Sequence, residues 1–136
     1  MHHDGPGPET RYERGNRTLS HIDGAAGEAV IAALADIAPD FATLLIEFAF
    51  GDIMSRPGLD LQRREIATIA ALTALGTAAP QLRVHIGAAL NVGVTQKEIV
   101  ETIMQMAVYA GFPAALNGLF AAKDVFSLTE KAATAA

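Results

Sequence analysis

Apolar residues recur along most of the chain at the spacing of one helix face. From Asp23 onward, no stretch alternates between apolar and polar residues as a half-buried strand does. Residues that start and stop helices stand between the apolar segments. We therefore predict an all-α fold of about six helices joined by short loops.

The helix boundaries follow from these start and stop residues. Asp23 is suited to cap a first helix, which Pro39 ends because its ring blocks continuation. The run Thr95 to Glu98 has the form of a capping box. Gly76 and Gly111 stand where helices commonly close. The predicted helices span residues 24–37, 40–54, 60–75, 80–90 and 95–110, and a last one begins at Pro113. The second helix carries an apolar stripe of Phe41, Leu44, Leu45 and Phe48. The last one carries Leu116, Phe120 and Phe126.

The two ends of the chain differ in composition from its centre. Residues 1–20 contain six charged side chains and a Gly-Pro-Gly-Pro run, and they have too few apolar residues to become ordered alone. We predict a flexible N-terminal arm over 1–20, a single helical domain over 21–128 and a C-terminal tail over 129–136.

Charged residues make up only 18% of the chain, and the mean hydropathy is +0.27. Soluble domains usually carry about 25% charged residues, so we expect an apolar helix face to be buried in a homo-oligomer. The apolar stretches around 29–38 and 66–79 are too short or too interrupted to span a membrane. Because the first 20 residues also lack the apolar core of a signal peptide, we expect a cytoplasmic protein.

Net charge and cysteine content exclude several function classes. A net charge of -5 argues against a surface for nucleic acid or anionic lipid. The chain has no Cys, which excludes thiolate metal sites, iron–sulfur clusters and thiol nucleophiles. No pair of His, or of His and Glu, has the spacing of a metal site, so we expect no metal.

His85 is the first candidate for acid–base chemistry. It is predicted to lie within the fourth helix, one turn after Gln81, so that the amide and the imidazole share a helix face. An ordinary histidine exchanges a proton near neutral pH. The alternative is a core histidine that is hydrogen-bonded to a backbone carbonyl.

Two further sets of polar residues accompany it. Gln105 and Tyr109 lie on a polar stripe of the fifth helix that includes Glu98 and Thr102. This stripe either lines a pocket or forms a solvent-facing or interface surface. Glu65 follows two arginines, so it either orients His85 or belongs to a solvent-facing charge cluster. Arg56, before Pro57, could bind a carboxylate through its guanidinium or cap carbonyls in a turn.

Several tracts stand in a fixed order over about Phe41 to Phe126. The tracts are Glu47-Phe48-Ala49-Phe50-Gly51-Asp52-Ile53-Met54-Ser55-Arg56-Pro57-Gly58-Leu59-Asp60, Arg64 to Leu75, Gln81-Leu82-Arg83-Val84-His85, Ala88 to Thr95, Glu98-Ile99, and Gln105 to Ala115. Together they resemble the carboxymuconolactone decarboxylase family.

The resemblance implies a helical fold related to alkylhydroperoxidase D, which assembles as a trimer or hexamer and acts without a metal or organic cofactor. The redox branch of that superfamily has a Cys-x-x-Cys pair before the histidine, and those two positions hold Ala78 and Gln81 here. Thiol peroxidase activity is therefore not expected.

The resemblance also implies a reaction, the loss of CO2 from a small unsaturated lactone that carries carboxylates. His85, Tyr109 or Gln105 would stabilise the resulting dienolate, and His85 or Tyr109 would protonate it. Arg56 or Arg83 would hold a carboxylate. The alternatives are another reaction in the same pocket, such as an isomerisation or cyclisation in secondary metabolism, and a non-catalytic oligomeric binding protein.

Overall fold

The structure, a computed structural model, describes residues 7–135, and every regular element within that range is a helix. The all-α prediction is thereby confirmed. Backbone contacts divide the chain into two compact units, residues 1–58 and 59–136. The described part of the first unit contains α1 (Arg11–Asp23), α2 (Ala25–Leu34), α3 (Pro39–Leu44) and a π-helix (Leu45–Met54). That of the second contains α4 (Leu61–Leu75), α5 (Ala79–Asn91), α6 (Gln96–Ala110) and α7 (Phe112–Thr134).

In the first unit, α1 packs against the π-helix through two glycines. An ideal Cβ on Gly15 would lie 2.0 Å from the carbonyl oxygen of Ile46. One on Gly51 would lie 2.6 Å from the carbonyl oxygen of Arg11. No real Cβ tolerates such distances, so the two backbones approach this closely only because both positions lack a side chain.

Polar contacts join the same two helices. Arg11 donates to both carboxylate oxygens of Asp52, at 3.0 Å from Nε to Oδ1 and 2.6 Å from Nη2 to Oδ2. The Oγ of Ser55 donates to the carbonyl of Phe50, and it lies 2.7 Å from Oγ1 of Thr18. Because the Ser55 proton is used in this way, Thr18 is the donor of the second bond. The end of the π-helix is thus tied to α1.

In the second unit, α4 to α7 surround one apolar core. Asp60 caps α4 by accepting from the backbone N–H of Arg63, and the predicted capping box of Thr95 and Glu98 begins α6. Gly76 ends α4 in the left-handed conformation, with φ 73°. The core consists of Ile69, Leu82, Ile86, Ala89, Val94, Ile99, Ile103, Ala121 and Ala122. These helices agree with the prediction to within about a residue at the compared ends, although α7 also includes residues 129–134, which we had placed in a tail.

The N-terminal prediction was wrong for residues 11–20, which form most of α1. Thr10 and Glu13 make a capping box there, and Gly15 and Leu19 are buried. Composition alone misses this helix because packing against the π-helix, rather than its own apolar content, supports it. The first six residues of the predicted arm lie outside the described range.

Two predictions about the next segments also fail. Asp23 is the last residue of α1, and Gly24 precedes α2 without a side-chain cap. The segment predicted as one α-helix over 40–54 is α3 followed by the π-helix. Its buried side chains recur every four residues, at Ala42, Ile46 and Phe50, and the last two belong to the π-helix. The predicted stripe is largely exposed, since Phe41, Leu44 and Phe48 each have more than half of their surface open.

Within residues 7–135, none of the helices is long and apolar enough to cross a bilayer.

Candidate active site

Helices α4 and α5 bring Glu65 and His85 together. Glu65 occupies a buried stripe of α4 whose other members, Ile69 and Thr73, follow at intervals of four residues. On α5, Leu82, Ile86 and Ala89 are buried in the core. His85 lies between these residues in sequence and is half-buried, so its ring stands at the edge of the core.

The two side chains form a hydrogen bond, with Nδ1 of His85 3.0 Å from Oε2 of Glu65. The carboxylate is completely buried, whereas 22% of the histidine side chain is exposed. Since a carboxylate oxygen only accepts, Nδ1 carries the proton of this bond. The bond therefore fixes the ring tautomer and its orientation, and Nε2 is the ring atom with which His85 would exchange a proton with a substrate.

Burial excludes one of the two interpretations of Glu65, the solvent-facing charge cluster. A solvent-facing charge cluster requires an exposed carboxylate, and this one has no accessible surface. Burying a carboxylate is costly unless it has a hydrogen-bonding partner. His85 supplies that partner for Oε2, while Oε1 has none within the part of the chain that the structure describes.

Gln81 and Arg83 are also on α5, but both are exposed. Gln81 is in the first turn of the helix, one turn before His85. Arg83 donates to Oδ2 of Asp124 on α7 at 3.1 Å. A substrate carboxylate would therefore have to compete with Asp124 for the Arg83 guanidinium.

Gln105 and Tyr109 are exposed on α6, and Tyr109 has 78% of its surface open. The other members of their stripe have local roles. Glu98 closes the capping box, and Thr102 donates to the Glu98 carbonyl. Hydrogen bonds to Thr95 hold the pKa of Glu98 below its ordinary value. Within the described chain, Gln105 and Tyr109 therefore face solvent.

Arg56 belongs to the first unit. It follows the π-helix and the turn residue Ser55, its side chain is exposed, and its backbone N–H donates to the carbonyl of Ile53 at 3.1 Å. The structure thus groups Glu65, His85, Gln81 and Arg83 on two adjacent helices, with Gln105 and Tyr109 on a third helix of the same unit.

One polar member of the buried α4 stripe, Thr73, is not among the predicted site residues. Thr73 is 1% exposed, two turns after Glu65, and its hydroxyl has no hydrogen-bonding partner among the described residues. The available signal was a threonine in line with Glu65 and Ile69 at fourfold spacing in an alanine-rich helix.

Two features of the described side chains bear on whether a metal or a large ligand could bind near these residues. Among residues 7–135, no group of three or more His, Asp or Glu side chains is arranged to hold a metal ion. A groove of about 250 Å³ separates the start of α6 from the second half of α7. Its lining includes Val100, Leu119, Lys123 and Phe126, and none of the predicted site residues.

Comparison with known proteins adds independent information. The family model described as "Carboxymuconolactone decarboxylase family" matches residues 39–124. A 4-carboxymuconolactone decarboxylase of Acinetobacter baylyi is 37% identical over 119 residues, which cover 87% of this chain and 88% of that protein. An uncharacterized 15.0 kDa protein of Paracoccus denitrificans is 37% identical over 82% of this chain and 79% of its own. A nitrosuccinic acid decarboxylase of Metarhizium robertsii is 36% identical over 56% of this chain and 52% of its own.

Proposed function

Because the chain belongs to the carboxymuconolactone decarboxylase family, we propose that it removes CO2 from a small carboxylated substrate without a metal or organic cofactor. The first candidate substrate is 4-carboxymuconolactone, which the Acinetobacter relative is named for. The observation that carries this proposal is the hydrogen bond between the buried Glu65 and the partly exposed His85.

The names of two relatives support a common chemical requirement. In carboxymuconolactone, the carboxylate that is lost leaves its electron pair to a ring alkene and the lactone carbonyl. In nitrosuccinic acid, a nitro group can receive the pair. Both molecules also keep a second carboxylate. We expect the substrate of this chain to have one carboxylate beside an oxygen-bearing electron acceptor and one that is retained.

In the proposed reaction, the carbon–carbon bond to the departing carboxylate breaks and CO2 leaves. The electron pair enters the conjugated system as a dienolate, and one proton is then added at the carbon next to the lactone carbonyl. His85 in its protonated form delivers that proton from Nε2, and solvent afterwards restores it. Glu65 stabilises the imidazolium and keeps its ring in one orientation.

The remaining site residues have proposed binding roles. Gln81 lies one turn from His85 and can donate to the developing oxyanion, and one such donor is typically worth about 3–4 kcal/mol. Arg56 or Arg83 holds the retained carboxylate, for which a guanidinium fork is well suited. Tyr109 and Gln105 are so exposed in one chain that they would act on a substrate only where a neighbouring subunit encloses them.

We also propose that the protein works as a homo-oligomer, a trimer or a hexamer. In the second unit, Met104 and Val108 are one turn apart on α6, and Phe112, Leu116 and Phe120 follow at the same spacing on α7. All five are exposed, with Val108 at 76% and Phe112 at 73%. A single chain leaves these side chains in water, whereas burial between copies would remove that cost.

The test is to offer the purified protein 4-carboxymuconolactone and, separately, nitrosuccinate, and to measure CO2 release together with the organic product. Turnover of either substrate that falls in the His85→Gln variant supports the proposal. Absence of CO2 from both, with a folded oligomer, would favour a different reaction in this site or a binding protein.

A further inference from the structure

The buried hydroxyl of Thr73 lacks a hydrogen bond that nearby threonines make. Thr68, also on α4, donates its Oγ1 proton to the Arg64 carbonyl one turn earlier at 2.9 Å. Thr102 and Thr129 do the same on α6 and α7. Thr73 is 1% exposed and makes no such bond within the described chain. A buried hydroxyl without a partner is unfavourable, so a missing partner is expected.

A small cavity is lined in part by Thr73. The centre of a water-sized sphere can move within about 10 Å³ of this cavity. That is about the smallest such volume that holds one water molecule. Three helices contribute to its wall: Leu72, Thr73 and Gly76 at the end of α4, Ala79 and Leu82 at the start of α5, and Ala114, Asn117 and Gly118 on α7.

The helix ends around the cavity offer both donors and acceptors. Helix α4 ends at Leu75, so its last carbonyls point away from its body without helical partners. Helix α5 begins at Ala79 with no side-chain cap, so its first N–H groups lack helical partners too. Asn117 adds a side-chain amide. Water both donates and accepts, so it can bond to both helix ends, whereas an anion would be attracted by the start of α5 and repelled by the end of α4.

Gly118 keeps the space open. An ideal Cβ there would lie 2.8 Å from Cγ2 of Ile103 and 3.3 Å from the Thr73 hydroxyl oxygen. The absence of a side chain at this position therefore lets α7 approach α4 closely without displacing what lies beside Thr73.

We infer that one ordered water molecule occupies this cavity, hydrogen-bonded to Oγ1 of Thr73, and that it links the end of α4 to α5 and α7. The water satisfies the buried hydroxyl and joins helices on which the Glu65–His85 pair depends for its position.

A high-resolution crystal structure of the full chain tests the inference directly. We expect water density about 2.7–3.2 Å from Thr73 Oγ1. It should persist in Thr73→Ser, which keeps the hydroxyl, and be lost or displaced in Thr73→Val. An empty cavity in the wild-type crystal would overturn the inference, and so would an anomalous peak at the site after a bromide soak, which would identify an anion.

Thermal unfolding gives a second readout, because the change in melting temperature caused by Thr73→Val differs between a filled and an empty cavity. If water bridges these groups, Thr73→Val removes one of its partners, and the melting temperature should fall by a few degrees. If the hydroxyl is unsatisfied, the same nearly isosteric change should leave the melting temperature unchanged or raise it, and the inference would be wrong.

Discussion

Nδ1 of His85 lies 3.0 Å from Oε2 of Glu65, and of these two side chains only the histidine reaches solvent. The carboxylate therefore has no direct route to a substrate in solution. In the proposed reaction, the glutamate would fix the tautomer and orientation of the ring, and the histidine would exchange the proton.

His85→Gln should reduce turnover on the true substrate by about a hundredfold or more, in line with typical acid–base contributions of roughly 10² to 10⁴. The glutamine amide can still donate to Glu65, so the buried carboxylate keeps a partner and the melting temperature should change little. Steady-state kinetics and thermal unfolding measure the two effects.

The matched variant His85→Leu removes the donor to Glu65. Leaving a buried acceptor without its donor typically costs about 1–3 kcal/mol, and more when the acceptor is charged, so this variant should melt below His85→Gln. Turnover of His85→Gln within a few-fold of wild type would assign the histidine a structural role, and Tyr109 would become the proton-donor candidate.

Glu65→Gln should lower kcat more than it raises KM, because the amide no longer stabilises the imidazolium while the pocket keeps its shape. The ring should also lose its preference for one tautomer, since a glutamine can either donate or accept. Nitrogen-15 NMR of the imidazole measures this preference. A wild-type ring that already populates both tautomers equally would contradict the orienting role.

The contact between Arg11 and Asp52 should make stability depend on pH. The hydrogen bond from Arg11 holds the pKa of Asp52 below its ordinary value of 3.8. A lowered carboxyl pKa adds stability that is fully present above the ordinary value and is lost as the pH falls through the lowered one. Asp52→Asn should therefore melt below wild type at pH 7, and the gap should narrow below about pH 4. A difference in melting temperature between the two proteins that stays constant from pH 7 to below about pH 4 would exclude the Arg11–Asp52 ion pair as its source.

Gly15→Ala should destabilise the protein strongly, because the new Cβ would meet the Ile46 carbonyl oxygen at 2.0 Å. Overpacking typically costs about 1–3 kcal/mol, and a backbone contact that cannot rotate away places this change at the upper end. Gly58→Ala is the control, since no atom lies within 4 Å of its ideal Cβ and its φ is not positive. Equal denaturant midpoints for the two variants would contradict the close packing of α1.

Val108→Asp should dissociate the proposed oligomer while the isolated chain stays folded, because a charge on an apolar face resists burial. Lys97→Asp, at an exposed polar position on the same helix, should leave the assembly intact. Light scattering of the wild type and both variants gives the masses. A stable, folded wild-type monomer of 14.2 kDa at micromolar concentration would refute the oligomer.

The second unit was largely predictable because its helices carry local signals. Asp60, Gly76, Thr95 and Gly111 mark helix ends through their own backbone or capping chemistry, which is encoded within a few residues. His85 was singled out by its residue type and its place on a helix. Its partner remained ambiguous because two arginines precede Glu65, and only the packing of α4 on α5 shows that this carboxylate is buried.

The first unit was predicted less well because distant contacts determine it. The roles of three residues depend on contacts with the π-helix and its end, more than thirty positions later in the chain: Arg11, Gly15 and Thr18. An apolar pattern examined at the period of an α-helix also selects the wrong face where the turns are wider. The spacing of Thr73 places it in line with Glu65 and Ile69, but only the packing shows that its hydroxyl is buried without a partner among the described side chains.

The π-helix makes the positions of Ser55 and Arg56 sensitive to insertions and deletions in the segment before them. Ten consecutive residues follow the wider turn, and Ser55 closes it by bonding back to Phe50, five positions earlier. Each residue of an α-helix turns the chain by about 100°. Loss of one residue from Leu45–Met54, with return to the narrower turn, would therefore break the tie to Thr18 and redirect Arg56. The number of residues in this segment therefore determines where Arg56 points, as much as any neighbouring side chain does.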